Sequence, residues 1–149
     1  MITAEHRLLL EYLQAQRDSV LAIVAGLDEE GRHRSVVPSG WTPASMIMHL
    51  AGAERYWCEG LVAGAAVGPD PVGVPPERVY REQWVRSDQA LTGSVLDDLP
   101  RGEVPEHHRE LARTVRTVLL HLIEETARHA GHLDVARELI DGRTGLGPR

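Results

Sequence analysis

The chain has no phenylalanine, no lysine and one cysteine, Cys58, in 149 residues. A single thiol excludes an internal disulfide and any cysteine-rich zinc motif. No apolar run approaches the roughly 20 residues that a bilayer span requires, because charges interrupt every candidate segment. A membrane span is therefore excluded. No leader-like apolar stretch precedes the acidic, amphipathic N-terminus, so a cytoplasmic location is expected. With lysine absent, all 16 basic residues are arginines, and the formal net charge is −6. The arginines are scattered along the chain instead of gathered into a strip, so non-specific nucleic-acid binding, which needs cations against phosphates, is excluded as a function.

Against these absences stand eight histidines. Histidine is costly to bury unless it has a partner or a ligand to hold, so some of the eight are expected to work. The length suits one domain over residues 1–149, large enough to bury a core without staples. Residues 3–27 place Leu9, Tyr12, Leu13, Gln16, Val20, Ile23 and Val24 near a 3.6-residue period, with Thr3 as N-cap and Gly26 near the end. Residues 28–40 lack periodicity and read as a loop. Thr42 followed by Pro43 is a helix start, since proline at the first helical position loses no hydrogen bond. This second helix is expected from Pro43 to about Cys58, with Met46, Leu50, Ala53 and Trp57 as its apolar stripe and His49 at the stripe's border.

Residues 60–76, interrupted by Gly68-Pro69 and Pro75-Pro76, read as a long surface connection. A third helix is expected over residues 77–99, with Tyr80, Trp84, Ser87, Leu91, Val95 and Leu99 on one face and Pro100 and Gly102 ending it. A fourth is expected over residues 113–141, stopped by Gly142. Its stripe includes Leu122, Thr126, His129, Ala130 and Leu133, so an imidazole occupies a position where leucine is the ordinary choice. Four amphipathic segments without a strand-period segment specify an all-α fold, a four-helix bundle.

Glu125 and His129 are one turn apart on the fourth helix, so their side chains project the same way and can share an ion. His49 on the second helix is the third candidate. Two imidazole nitrogens and a carboxylate suit a divalent ion such as zinc, nickel, iron or manganese, and three protein ligands leave positions open for water or substrate. The other reading is a buried hydrogen-bonded His–Glu pair with no metal. His132 and His121 lie further from the stripe's centre and are read as alternative ligands or as hydrogen-bond partners of the ligands. Tyr56, two turns after His49, can bring a hydroxyl near the same cavity. His6, His33, His107 and His108 are expected to be exposed and without a role, and Cys58 to be a thiol without chemistry.

WTPASMIMHLAGAERYW in the second helix and LLHLIEETARHAGHLDVARELIDG in the fourth resemble the DinB/YfiT-like superfamily, and within it the branch that includes the mini-circle protein. The likeness extends over almost the whole chain. It implies an up-down-down-up bundle and a metal held by one side chain of the second helix and two of the fourth, at positions matched by His49, Glu125 and His129. Many members have histidine at the middle position. Glutamate there is similar to the mycothiol-dependent maleylpyruvate isomerases. Members often carry glutamine three residues after the last ligand, where this chain has His132.

Several relatives join a low-molecular-weight thiol, mycothiol or bacillithiol, to an electrophile. The resemblance thus implies a metal-dependent thiol transferase with mycothiol as cosubstrate and an electrophilic small molecule as partner. The isomerase reaction is not expected, because the likeness lies in the bundle and not in the isomerases' fused substrate-binding domain. A non-catalytic metal-binding, stress-response or interaction bundle is the alternative. Long amphipathic helices also raise the expectation of a homodimer.

Overall fold

The computed structural model describes residues 2–145. Four long helices carry the fold: α1 (Ala4–Val24), α3 (Pro43–Glu54), α4 (Pro76–Thr92) and α5 (Val115–Asp141), with a five-residue helix, α2 (Glu29–His33), after α1. Among the described residues there is no strand, and no helix is long and apolar enough to cross a membrane. The start signals work as their chemistry dictates. Thr3 accepts a hydrogen bond from the His6 amide at 3.1 Å. Thr42 and Ser45 form a reciprocal capping box with Pro43 at the first position, and Thr114 and Thr117 form a second box on α5. Each satisfies amides that the first turn of a helix otherwise leaves unpaired. Gly142 ends α5 with φ 77°, a conformation that glycine adopts without steric cost.

Three boundaries depart from the sequence reading. The segment over residues 28–40 contains α2, which Asp28 caps by accepting from the Gly31 amide at 2.7 Å. The second helix does not stop near Cys58: α3 passes into a π-helical segment, Arg55–Val62. The third helix stops at Thr92, not Leu99. Gly93 caps it, the Ser94 hydroxyl donates to the Ala90 carbonyl at 3.0 Å, and the chain turns so that Leu96 enters the core while Val95 and Leu99 stay exposed. Tyr12, placed on the α1 stripe, is also exposed, whereas His6, expected in water, is buried.

Long-range contacts fix the helix order. Arg116 at the start of α5 donates to Glu5 at the start of α1 (2.8 Å), and Arg137 near the end of α5 donates to the Ile23 carbonyl near the end of α1 (2.7 Å). α1 and α5 are therefore parallel. His49 meets Glu125, whereas Trp57, further along the chain, meets His121, earlier on α5; α3 thus runs against α5. The starts of α3 and α4 line one cavity through Ala44, Met48, Pro76 and Glu77, and Gln83 further along α4 reaches Glu59 of the π-helical segment at 2.7 Å. α3 and α4 are parallel, and the order is up-down-down-up. Parallel neighbours cannot be joined by a tight turn, so the chain must return along the bundle between them. Residues 63–75 make that return.

The apolar interior is in two clusters. One gathers Val20, Val24, Ile47, Leu50, Val79, Tyr80, Trp84, Ala130 and Leu133, the other Leu13, Trp57, Leu61, Leu91, Leu96, Val118, Leu119 and Leu122. Each long helix crosses from one cluster to the other at a buried polar residue: Arg17 on α1, Glu54 on α3, Ser87 on α4 and Thr126 on α5. A polar belt therefore divides the bundle at mid-height. Glu125 neighbours the belt's member on α5.

Candidate metal centre

α3 and α5, packed antiparallel, carry His49 on one side of their seam and Glu125 with His129 on the other. Glu125 Oε1 lies 3.2 Å from His49 Nε2 and 3.0 Å from His129 Nε2. The two imidazoles stand edge to face with ring centroids 4.8 Å apart. One donor atom from each residue falls within 4.8 Å of the others. Donors that share one ion at roughly 2.1 Å stand about 3.0–3.5 Å apart; both distances from Glu125 fall in that range, and the two imidazole donors lie within 4.8 Å of each other.

The surroundings give the set an inner and an outer side. The His129 and Glu125 side chains are 15% and 21% exposed, and that of His49 is 53% exposed. A cavity of about 300 Å³, lined by Trp41, Ser45, Met46, His49 and His129, opens on the outer side. Burial pushes the Glu125 carboxyl up, but hydrogen bonds from His49 and His129 outweigh it and hold the group below the usual carboxylate range. Burial lowers His129, with Glu125 pulling the other way. An ionised carboxylate beside an imidazole kept neutral is the protonation state in which both offer lone pairs to a cation.

Of the remaining candidates, His132 touches this set, whereas His121 and Tyr56 make their contacts at Trp57 and His108, away from the cavity where the Tyr56 hydroxyl was expected. His132 Nδ1 is 3.3 Å from His129 Nδ1, which makes it a hydrogen-bond partner of that imidazole. His121 packs its ring 4.5 Å from that of Trp57. The Tyr56 hydroxyl is engaged by His108 Nδ1 at 2.9 Å, and His108 also packs on Trp57 with centroids 4.7 Å apart. His108, assigned no role from sequence, thus pins the connection before α5 to the π-helical segment. No local pattern marks it, since its partners are some fifty residues away. Of the cavity's lining, Met46 was legible as a stripe residue, while Ser45 carried no signal of its own beside the Thr42-Pro43 helix start. Cys58 is fully buried, and burial pushes its thiol up.

A family model described as mycothiol-S-transferase matches the chain over residues 8–78 and 77–142. No curated protein and no solved structure gives a match.

Proposed function

The chain belongs to the mycothiol-S-transferase family, and we propose that it is a metal-dependent enzyme that joins mycothiol to an electrophilic small molecule, with His49, Glu125 and His129 as the metal ligands. The observation that carries this reading is the convergence of two imidazole nitrogens and one carboxylate oxygen within 4.8 Å, beside an open cavity. The donor set suits zinc, nickel, iron or manganese. A divalent ion held there lowers the pKa of a thiol and so supplies thiolate at neutral pH.

The chain's own residues do the rest. Glu125, kept ionised, and neutral His129 form the inner wall, and the exposed edge of His49 leaves the outer side open to the thiol. Trp41 and Met46 supply apolar surface that limits water around the sulfur. In the transfer, a bond forms between sulfur and the electrophilic carbon, the displaced electron pair leaves with the halide of an alkyl halide or passes to the ring oxygen of an epoxide or the carbonyl oxygen of a quinone, and the thiol proton goes to solvent or to that oxygen. A non-catalytic bundle is the second reading. It is favoured by the acceptance of both imidazoles by one Glu125 oxygen, which satisfies the three side chains as a hydrogen-bonded set.

Elemental analysis of protein purified without a metal-binding tag, followed by assay of mycothiol consumption with alkyl halides, epoxides and quinones, separates the two. Near-stoichiometric metal, lost in His49→Ala and in His129→Ala together with thiol consumption, is expected. Metal retained in His129→Ala would sink the ligand assignment. A wild-type protein without metal after reconstitution, and inert toward thiol and electrophile, would establish the second reading.

A further inference from the structure

His132 is one turn beyond His129 on α5, and its Nδ1 faces His129 Nδ1 at 3.3 Å, with ring centroids 5.3 Å apart and planes at 61°. The Trp41 ring lies against it, at 6.2 Å between centroids. The residue as a whole is exposed. Two imidazole nitrogens at this separation form a hydrogen bond only when one carries a proton and the other a lone pair. Which is which follows from the other nitrogen of His129.

His129 Nε2 is directed at Glu125 Oε1. An ionised carboxylate only accepts, so a neutral His129 donates through Nε2 and keeps a lone pair on Nδ1. His132 must then donate. If Nε2 offers its lone pair to a cation instead, the one proton of neutral His129 moves to Nδ1, and His132 must accept. A second imidazole can satisfy both arrangements because it carries its proton on either nitrogen.

We infer that His132 is a positioning residue that exchanges the donor role for the acceptor role when an ion enters, and so holds the His129 ring in one orientation in both states. This inference rests on the reading of His49, Glu125 and His129 as ligands. The protons balance. His129 loses a proton from Nε2 to solvent and takes one at Nδ1 from His132, which regains one at Nε2 from solvent. Both imidazoles are neutral before and after, and the pair as a whole releases no proton. Leucine at position 132 could play neither role. Glutamine, whose amide has both a donor and an acceptor, could play both.

The test uses the full chain with nitrogen-15-labelled histidine, zinc as the probe, and zinc affinity measured by competition with a chelator. In wild type, the proton on His132 is expected at Nδ1 without zinc and at Nε2 with it, and that on His129 at Nδ1 once zinc is bound. His132→Leu is expected to weaken zinc binding about 10–100-fold, the range for losing the hydrogen-bond partner of a metal-bound histidine, and His132→Gln to restore most of it. Unchanged affinity in His132→Leu, or one tautomer of His132 in both states, would overturn the inference while zinc uptake by wild type upheld the ligand assignment. Loss of zinc in both His132→Leu and His132→Gln would make His132 a ligand and overturn the positioning role. Absence of zinc from wild type would remove both readings at once.

Discussion

Arg17 and Glu54 meet in the polar belt, each with a side chain 1% exposed, through two hydrogen bonds of 2.8 and 2.6 Å. The geometry is the planar fork of a guanidinium against both oxygens of a carboxylate. Asp88 takes the remaining Nη1 at 2.8 Å, and the guanidinium carbon lies 5.6 Å from the centre of the Trp84 ring. Glu54 is also the last residue before the π-helical segment, so the pair stands where α3 changes its winding.

Breaking this pair from one side leaves a buried charge without its partner. Arg17→Met is expected to cost about 3–5 kcal/mol in urea unfolding, and the double variant Arg17→Met, Glu54→Leu to cost clearly less. A double variant as unstable as the single one would show that the belt stabilises through the charges themselves.

His6 is 2% exposed and its Nε2 has no hydrogen-bond partner among the described residues. Burial lowers its pKa, against a smaller upward pull from Glu5. Above the unfolded value, near 6.5, both states are neutral and the group adds no pH dependence. As pH falls below it, the unfolded chain takes up the proton first, so stability declines until pH has passed the folded pKa. The loss in unfolding free energy between pH 7.5 and pH 5 should be smaller in His6→Leu than in wild type. Equal losses would assign the acid sensitivity to other groups.

Gly102 crosses the π-helical segment so closely that a Cβ would overlap the Gly60 carbonyl, while its amide donates to the Leu61 carbonyl at 2.8 Å. Both partners are backbone and cannot rotate away. Gly102→Ala should cost about 1–3 kcal/mol by thermal or urea unfolding. A neutral result would show that residues 101–103 shift freely.

The Tyr56–His108 hydrogen bond ties the connection over residues 93–114 to the rest of the bundle. Tyr56→Phe removes it and is expected to cost about 1 kcal/mol. The loss should appear as faster amide exchange in that connection, with the protected amides in the middle of α5 unchanged. Acceleration throughout α5 would mean that the contact supports the whole fold.

Signals confined to a few adjacent residues were legible in the sequence. Thr42-Pro43 and Gly142 mark helix ends because caps act within one turn, and Glu125 and His129 declare a shared face by spacing alone. What stayed hidden depends on partners distant in sequence. Arg17 and Glu54 carry no local mark of the partnership that buries them, and His6 and His108 read as surface histidines for the same reason. The π-helical winding of Arg55–Val62 has no compositional marker. Val95 and Leu99 continued a helical period that the cap at Gly93 had already ended.

The parallel pairing of α1 with α5 has a consequence for how the molecule comes into being. Contacts such as Glu5–Arg116 and Ile23–Arg137 span 111 and 114 residues, so α1 leaves the ribosome long before its neighbour exists. It must wait with its apolar face uncovered, a costly long-range closure of the kind that slows folding. α5, made after α1, α3 and α4, both covers that face and brings Glu125 and His129 to His49. Completion of the tertiary structure and assembly of the three-donor cluster are therefore a single late event, and a refolding chain should gain its capacity for zinc only in the final cooperative step.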